Sequence, residues 1–341
     1  MSERTSERTS EGGGEHSLQA VHVLHLLELV KRWDVTSERV LEGFALDEAT
    51  LSAPSARVSI PTFVRIIERA RALTAEPALG LYFGMQMRVS THGYLGFAAM
   101  TASTVREALE LAVRFAPTRT TAVSLRLVVD ERVASLVIDE HAELGTAREV
   151  VVLALVVGIW QIGNALTGRE LGGEADLAFA KPPWFSRFEG VMNARFGQPN
   201  NRLVFDAALL DLPLTMADRE ALQLAREQCE RALEALGADG LLAPRVRRLL
   251  AKESTRPRTL EDVAGELHLS PRTLKRRLAA EGAAYSALLE DHRREKAMLL
   301  LRSRELSVEA VAERLGYSDV TSFSRAFRRW TGTTPAAYRR S

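Results

Sequence analysis

The chain has 341 residues, of which 46% are hydrophobic and 26% charged, and its net charge is +1. This composition is typical of a globular protein, and the length suggests two or more domains. The single cysteine excludes an internal disulfide framework. The longest apolar run, residues 150–157, is shorter than the roughly 20 residues that span a bilayer. No apolar segment of a secretory signal follows the N-terminus, so we expect a cytoplasmic protein without a membrane partner.

The charge is distributed unevenly along the chain. Residues 241–341 contain 21 Lys and Arg against 12 Asp and Glu, whereas residues 1–240 contain 24 against 32. A basic C-terminal segment after an acidic N-terminal region suggests that one domain binds a polyanion. A solvated basic face explains such an excess more often, so charge alone does not identify nucleic acid as the partner.

The N-terminal region begins with a low-complexity tract. Residues 1–15 repeat SERT and continue with Gly and Glu, a composition that cannot bury a core and predicts a disordered tail. Apolar residues then recur at helical spacing in several segments. The predicted helices cover residues 22–30, 60–73, 104–115 and 149–166. Thr104 is the expected N-cap of the third, with Glu107 three residues later.

Strand patterns interrupt these helices. Residues 122–129 and 133–138 alternate in polarity around Asp130 and Glu131, which predicts a β-hairpin. Residues 177–179 and 202–205 have the composition of two further short strands. The predicted fold of residues 16–217 is therefore an α+β domain.

A ligand pocket in this region is expected to be apolar with few polar groups. The candidates for its lining are three large aromatic side chains, which as an alternative belong to the ordinary core: Trp160, Trp184 and Phe185. His22 and His25 lack a nearby third ligand, which favours surface or core histidines over a metal site. His92 and His141 stand isolated in the sequence.

Residues 218–236 form a predicted helix with an apolar stripe. The stripe consists of residues three and four positions apart: Leu222, Ala225, Cys229, Ala232 and Leu236. It is suited to a short coiled coil or to docking on its own domain, and its length of about two heptads favours docking. Residues 237–240 are a predicted linker, so residues 218–240 are a linker or dimerisation helix. Cys229 has no histidine beside it and is expected to be a buried thiol.

The C-terminal region, residues 241–341, contains a helix-turn-helix pattern. Thr259 is a predicted N-cap with Asp262 three residues on, and the chain turns at His268. Ser270 and Pro271 then start a second helix, because serine caps and proline needs no amide hydrogen in the first turn. Leu274 and Leu278 are four residues apart and are expected to pack this helix on the core of the unit. The opposite face carries three basic side chains: Arg272, Lys275 and Arg276.

The pattern recurs 48 residues later. VAGELHLS at residues 263–270 matches VAERLGYS at residues 311–318, with Gly316 at the turn, where a positive φ suits glycine. Phe323 and Phe327 repeat the roles of the two core leucines. The free face of this last helix is less basic and carries Val320, Thr321, Ser324 and Arg325. Two helices at this spacing can enter adjacent turns of the DNA major groove, since a predicted helix over residues 285–302 joins the two units as a rod of roughly 26 Å. Its predicted apolar stripe is Leu288, Leu289, His292, Lys296, Leu299 and Leu300.

These residues resemble the AraC/XylS family of regulators over residues 259–338. The most specific part is AERLGYSD at residues 312–319, followed by FSRAFRRWTGTTP at residues 323–335. The resemblance implies an all-α domain of two helix-turn-helix units joined by a linker helix. It also implies base contacts from the exposed residues of both second helices. Leu278 departs from the phenylalanine usual in the family, and Val320 offers only a methyl contact.

The N-terminal half is similar to a group within that family, regulators of ornithine or arginine use with a long effector domain. The matching stretches are PALGLYFG at residues 77–84, GYLGF at 93–97 and RLVF at 202–205. The similarity implies a small-molecule effector of unidentified nature. It further implies that ligand binding acts through residues 218–240. The ligand would change the arrangement of a homodimer or free the DNA-binding domain, which then recruits RNA polymerase.

Two other functions compete with an effector-dependent activator. An enzyme fused to a DNA-binding module would need a catalytic constellation, but GRELGG at residues 168–173 lacks the lysine of a phosphate loop, and no Cys/His cluster has metal spacing. We therefore expect no enzyme activity, cofactor or metal. An architectural protein would bind DNA without an effector, and it would not need an α+β domain of about 200 residues.

Overall fold

The computed structural model describes residues 16–238, 242–252, 257–303 and 306–340. They form two compact units, one up to Leu233 and one from Glu234 onwards. The predicted disordered tail, residues 1–15, lies outside the described residues. The predicted fold class is confirmed, because an α+β unit is followed by an all-α unit.

Within the described residues, the N-terminal unit contains seven strands, eight helices and most of a ninth, which continues past Leu233. The helices are α1 (Val21–Val30), α2 (Ser37–Leu41), α3 (Glu48–Leu51), α4 (Ile60–Thr74), α5 (Leu79–Met85), α6 (Gly93–Thr101), α7 (Val105–Arg119), α8 (Arg148–Thr167) and α9 (Arg219–Ala238). The strands are β1 (Ser17–Gln19), β2 (Arg57–Ser59), β3 (Val123–Asp130), β4 (Val133–Glu140), β5 (Glu174–Leu177), β6 (Ala194–Phe196) and β7 (Asn201–Asp206). Five short 3-10 turns lie between them: Lys31–Trp33, Val89–His92, Gly145–Ala147, Pro183–Phe188 and Ala207–Asp211.

Strands β3 to β7 form one sheet in the order β3-β4-β7-β5-β6, and β1 pairs separately with β2. The predicted hairpin is confirmed as β3 and β4, with Leu127 opposite Leu136. All neighbours in the large sheet are antiparallel except β5 and β6. The strand predicted at residues 177–179 lies earlier in the chain, because β5 ends at Leu177. Strands β1, β2 and β6 were not predicted, since strands of three residues have too little periodicity to be recognised.

Helix α8 crosses α5 at very close range. A Cβ built on Gly80 would lie 2.7 Å from the Cα of Val150, and one on Gly84 would lie 2.6 Å from the Cβ of Val157. The motif at residues 77–84 therefore has a packing role, since only glycine lets the two helices approach this far. The crossing places the side chains of α8 beside a cavity described below.

Residues Gly145–Thr167, which include α8, are long and apolar enough to cross a membrane by length and composition. This segment is longer than the apolar run of residues 150–157 suggested, because the flanking residues of the helix are also mostly apolar. Most of that run is buried within the unit, where α8 packs against α5 and approaches β7. A core helix of a globular domain has the same composition, which makes this feature weak evidence for a membrane segment.

Helix α9 docks on the N-terminal unit through its first part. Leu222, Ala225, Cys229 and Leu233 belong to a core cluster that also contains Leu111 and Phe115 of α7. An ion pair of 2.5 Å between Arg114 and Glu230 fastens the same two helices. Docking, rather than the alternative of a short coiled coil, is thus the arrangement of this part of the stripe. The predicted stripe was wrong at Ala232, which is exposed, because the buried residue is its neighbour Leu233.

The C-terminal unit contains helices α10 (Leu242–Ala251), α11 (Leu260–Glu266), α12 (Pro271–Ala280), α13 (Tyr285–Ser303), α14 (Val308–Arg314), α15 (Val320–Thr331) and α16 (Pro335–Arg340). They surround two separate cores. The first lies between α10, α11, α12 and the start of α13, and the second between the end of α13, α14, α15 and α16.

Helix α13 spans both cores and differs from the predicted stripe. Tyr285 and Leu288 enter the first core, whereas Ala297 and Leu301 enter the second. The predicted member Leu299 is 69% exposed, so its assignment was wrong. A helix that serves two cores presents a different face to each, and a single apolar stripe does not describe it.

Candidate nucleic-acid interface and effector cavity

Helix α12 presents an unpaired basic face. The Thr273 amide donates to Ser270 Oγ at 3.1 Å, and Pro271 occupies the first turn, as predicted. Leu274 and Leu278 are fully buried in the first core. The other face is exposed, and no hydrogen bond or ion pair ties its three basic residues to another described residue: Arg272, Lys275 and Arg276.

The turn before α12 has the same hydrogen bonds as the turn before α15. The Leu269 amide donates to Ala264 O at 2.9 Å, and the Tyr317 amide donates to Ala312 O at 3.0 Å. Each is the long bond of a Schellman motif, which ends a helix with one residue of positive φ. That residue is His268 with φ 55° in the first unit and Gly316 with φ 78° in the second.

Helix α15 presents a less charged face. Asp319 caps it by accepting the Ser322 amide at 2.7 Å, and Phe323 and Phe327 are fully buried, as the repeat predicts. Thr321 and Arg325 are exposed, while Ser324 is partly buried. Val320 packs partly against the second core, which leaves less of its side chain free than the sequence suggested.

Helix α13 is fastened directly to α15. Glu290 accepts from Arg329 at 2.5 Å and from the Trp330 indole nitrogen at 2.7 Å. The guanidinium of Arg293 lies 5.2 Å from the centre of the Tyr317 ring, which is a cation–π distance. These contacts set the orientation of α15 on a rod of 19 residues, about 28 Å long.

The N-terminal unit encloses two adjoining apolar cavities. The larger has a volume of about 150 Å³ and lies between α6, α7 and α8, with Leu95, Leu109 and Ile159 in its wall. The smaller, of about 90 Å³, lies beside α1 and α4 and includes Phe63 and Ile67. The two share six lining residues: Met87, His92, Arg119, Thr120, Val123 and Leu155. Two of these six, His92 and Arg119, are basic.

Basic groups surround this shared wall. The rings of His22 and His92 have centroids 5.7 Å apart. Burial, with Arg119 and His25 nearby, lowers the pKa of His92 to about 4. Burial also lowers the pKa of His22 well below its usual value, and the pKa of Arg119 to about 10 with Arg57 nearby. At neutral pH the histidines are therefore neutral and Arg119 is charged.

His92 and His141, which are isolated in the sequence, each have a polar neighbour in the fold. His92 meets His22 across 70 positions of sequence, and Ser124 Oγ lies 2.7 Å from His141 Nε2. Neither contact leaves a local signal, because the partners lie on different elements. No group of three or more His, Cys, Asp or Glu suited to a metal occurs among the described residues.

None of the three aromatic candidates lines the larger cavity, although Trp160 lines a third cavity that shares Val105, Leu109, Ile159 and Gly163 with it. Trp160 lines a smaller cavity of about 60 Å³ beside Leu171 and Phe205. Phe185 is buried against Phe196, with ring centroids 4.7 Å apart, and Trp184 packs on Phe188. Neither Trp184 nor Phe185 lines either of the two adjoining cavities, and their role in ligand binding stays a prediction. Cys229 is buried, as predicted, and burial raises the pKa of its thiol to about 11.

Two family models match the chain. The arabinose-binding N-terminal domain of the AraC transcription regulator matches residues 35–214, and a helix-turn-helix domain matches residues 263–341. The first match covers most of the unit with the cavities, from after α1 to before α9, and the second includes both α12 and α15.

Known proteins match over nearly the whole chain. The ornithine utilization regulator of Pseudomonas aeruginosa is 33% identical, with 92% of this chain and 94% of the relative aligned. An uncharacterized HTH-type transcriptional regulator of Mycobacterium tuberculosis is 32% identical over 95% and 96%. The crystal structure of the regulator CdpR from Pseudomonas aeruginosa matches 98% of this chain and all of that one at 22% identity, with a TM-score of 0.43. The chain belongs to the AraC family and is a DNA-binding transcription regulator with an N-terminal effector-binding domain.

Proposed function

We propose that this protein activates transcription from specific operators when its N-terminal unit binds a small effector. The observation that carries the proposal is the duplicated unit with exposed, unpaired cations on α12. Arginine is suited to bidentate contacts with guanine, and lysine to guanine or phosphate. A site of action in the cytoplasm follows from DNA as the partner.

Seven residues are proposed to meet DNA at two adjacent major-groove faces. In α12 they are Arg272, Lys275 and Arg276, and in α15 they are Val320, Thr321, Ser324 and Arg325. A rod of about 28 Å, with the width of the two helices it joins, is compatible with the spacing of about 34 Å between successive turns of the groove. The first unit is expected to supply most of the hydrogen-bonded specificity, since its free face has three cations.

The effector is proposed to act by changing the arrangement of the two subunits of a homodimer or by freeing the DNA-binding unit. The DNA-binding unit then recruits RNA polymerase. Residues 218–240 are the proposed route, since α9 docks on the effector unit and continues past Leu233. The matched model and relative suggest two ligand chemistries by name, a sugar and a diamino acid. The side chains that line the cavity determine whether this protein can bind a sugar or a diamino acid.

The test is selection of operators from random DNA by the full chain, followed by footprinting. We expect two conserved half-sites about one helical turn apart, and an affinity that falls steeply with salt. Transcription from the selected operator should rise with effector and RNA polymerase. Selection that yields no preferred sequence would contradict the proposal and favour an architectural protein. Turnover of a metabolite by the full chain would favour an enzyme.

A further inference from the structure

The adjoining cavities combine an apolar wall with one partly buried cation. Leucine, isoleucine, valine and alanine side chains dominate the lining of the larger cavity, whose basic members are His92 and Arg119. Such a surface binds the hydrocarbon part of a ligand by burying it from water. A cation at one place in an otherwise apolar wall selects for a ligand with one anionic end.

Arg119 is only partly satisfied within the protein. One Nη donates to Thr91 O at 2.9 Å, while the buried Nε has no hydrogen-bond partner among the described residues. No carboxylate among those residues lies within ion-pair distance or contributes to its pKa shift. A buried charge without a counter-ion is costly, and an anion in the cavity would relieve that cost.

Among the described residues, the groups that influence the charge of Arg119 are basic or neutral. His22, His25 and Arg57 face it from α1 and β2, and the Arg57 guanidinium donates to Ser17 Oγ and to backbone carbonyls. His92 faces it from the turn before α6. Neutral imidazoles can each donate one hydrogen bond, so the cluster offers an anion a guanidinium together with neutral donors.

We propose that the cavity binds an aliphatic monocarboxylate, with the carboxylate on Arg119 and His92 and the chain in the larger apolar cavity. The inference rests on the proposed function, because it names the chemical class of the effector. The planar fork of a guanidinium matches a carboxylate in two parallel hydrogen bonds.

The same wall disfavours the other ligand chemistries. A sugar would bury several hydroxyl groups against apolar side chains, where an unpaired polar group is destabilising. A diamino acid would bring ammonium groups beside the positive charge of Arg119, and no carboxylate of the described residues lies within ion-pair distance of that residue. A phosphate would bring a higher charge than one buried guanidinium can balance.

The experiment measures binding to the full chain by calorimetry and thermal shift. The probes are hexanoate, decanoate and palmitate below their micelle concentrations, with decanol, methyl decanoate, L-arabinose and L-ornithine as comparisons. We expect decanoate to raise the melting midpoint and to bind at least tenfold more tightly than decanol or methyl decanoate. Arabinose and ornithine should not compete with it.

Two variants and one control locate the site. Arg119→Gln should weaken decanoate binding at least tenfold and leave decanol binding unchanged. Ala112→Phe, which fills part of the larger cavity, should shift the preference towards hexanoate. Arg126→Gln is the matched control, because this exposed arginine pairs with Asp139 outside the cavity, and its binding should equal that of the parent.

Equal affinity for decanoate and decanol would overturn the inference, as would unchanged decanoate binding by Arg119→Gln. Competition by ornithine or arabinose would overturn it in favour of those ligands. Operator binding by the same preparations separates the two proposals. Specific operator binding without carboxylate binding rejects only the ligand class, whereas loss of sequence preference in the parent chain rejects the proposed function.

Discussion

The two helix-turn-helix units share a backbone and differ in their side chains. Both turns have the same Schellman hydrogen bonds, and both second helices have a side-chain cap and two fully buried residues four apart. The exposed faces differ, with three cations on α12 and one on α15 among the residues proposed to meet DNA. The comparison teaches that burial and backbone hydrogen bonds preserve the repeat, while the exposed face is free to specialise.

The cores and turns differ as well. Leu274 and Leu278 fill the first core, whereas Phe323 and Phe327 join an aromatic cluster with Tyr317, Trp330 and Tyr338 in the second. The residue of positive φ is a histidine in one turn and a glycine in the other. Each difference can be tested by matched substitutions.

The largest expected effect concerns the cores. Phe323→Ala should lower the free energy of unfolding by about 3–5 kcal/mol and Leu274→Ala by about 2–5 kcal/mol, because each leaves a cavity in a filled core. Hydrogen exchange should show lost protection mainly in α14 and α15 for the first variant, and in α11 and α12 for the second. Leu299→Ala is the control, since that side chain is 69% exposed. Protection lost equally throughout the unit would mean that the two cores do not act separately.

A smaller effect is expected from the turns. Gly316→Ala should destabilise the second unit by about 1–2 kcal/mol, since a left-handed φ strains an L residue. The new Cβ would also lie 2.8 Å from Cγ of Pro257. His268→Gly should stabilise the first unit by up to about 1 kcal/mol. Urea unfolding monitored by hydrogen exchange measures both, and equal effects of the same sign would refute the difference between the turns.

The exposed faces should differ in specificity. Arg276→Ala is expected to lose about 1–3 kcal/mol of discrimination at one base pair of the first half-site. Arg325→Ala should mainly weaken binding to all sequences and reduce the salt slope by about one. Operator selection at several salt concentrations compares them, with Arg277→Ala as a control for an exposed arginine outside the proposed set. An unchanged base preference for Arg276→Ala would remove that residue from the interface.

The smallest expected effect is a difference in acid sensitivity between the caps. Hydrogen bonds from Ser322 lower the pKa of Asp319, so this cap stabilises α15 above the ordinary pKa of an aspartate and is lost as pH falls through the lowered value. Ser270 does not titrate, and the first turn of α12 should show no such loss. Amide exchange relative to intrinsic rates, measured between about pH 5 and pH 2.5, compares the two.

Asp319→Asn is the matched variant for the caps. Asparagine caps helices about as well as aspartate, so this variant should retain the protection of α15 and lose its dependence on acid. The same acid response in Asp319→Asn would trace the effect to another group.

Much of the C-terminal unit was predictable from local signals. Thr259 and Ser270 cap helices as predicted, and Ser307 caps α14 in the same way, because a cap depends on residues three positions apart. Helix α10 was missed although it completes the first core, and its first amides donate to Glu281. That carboxylate lies 39 positions away, beyond any local pattern.

The sequence by itself determined the fold class, the repeated unit and the exposed basic face, because periodicity, caps and the turn glycine act over a few residues. Only the tertiary structure decided where the proposed effector cavity lies. Its wall joins α6, α7 and α8, and its cluster brings His22 to His92. None of the three aromatic candidates lines the two cavities beside Arg119, which form where small and branched side chains of different helices leave space.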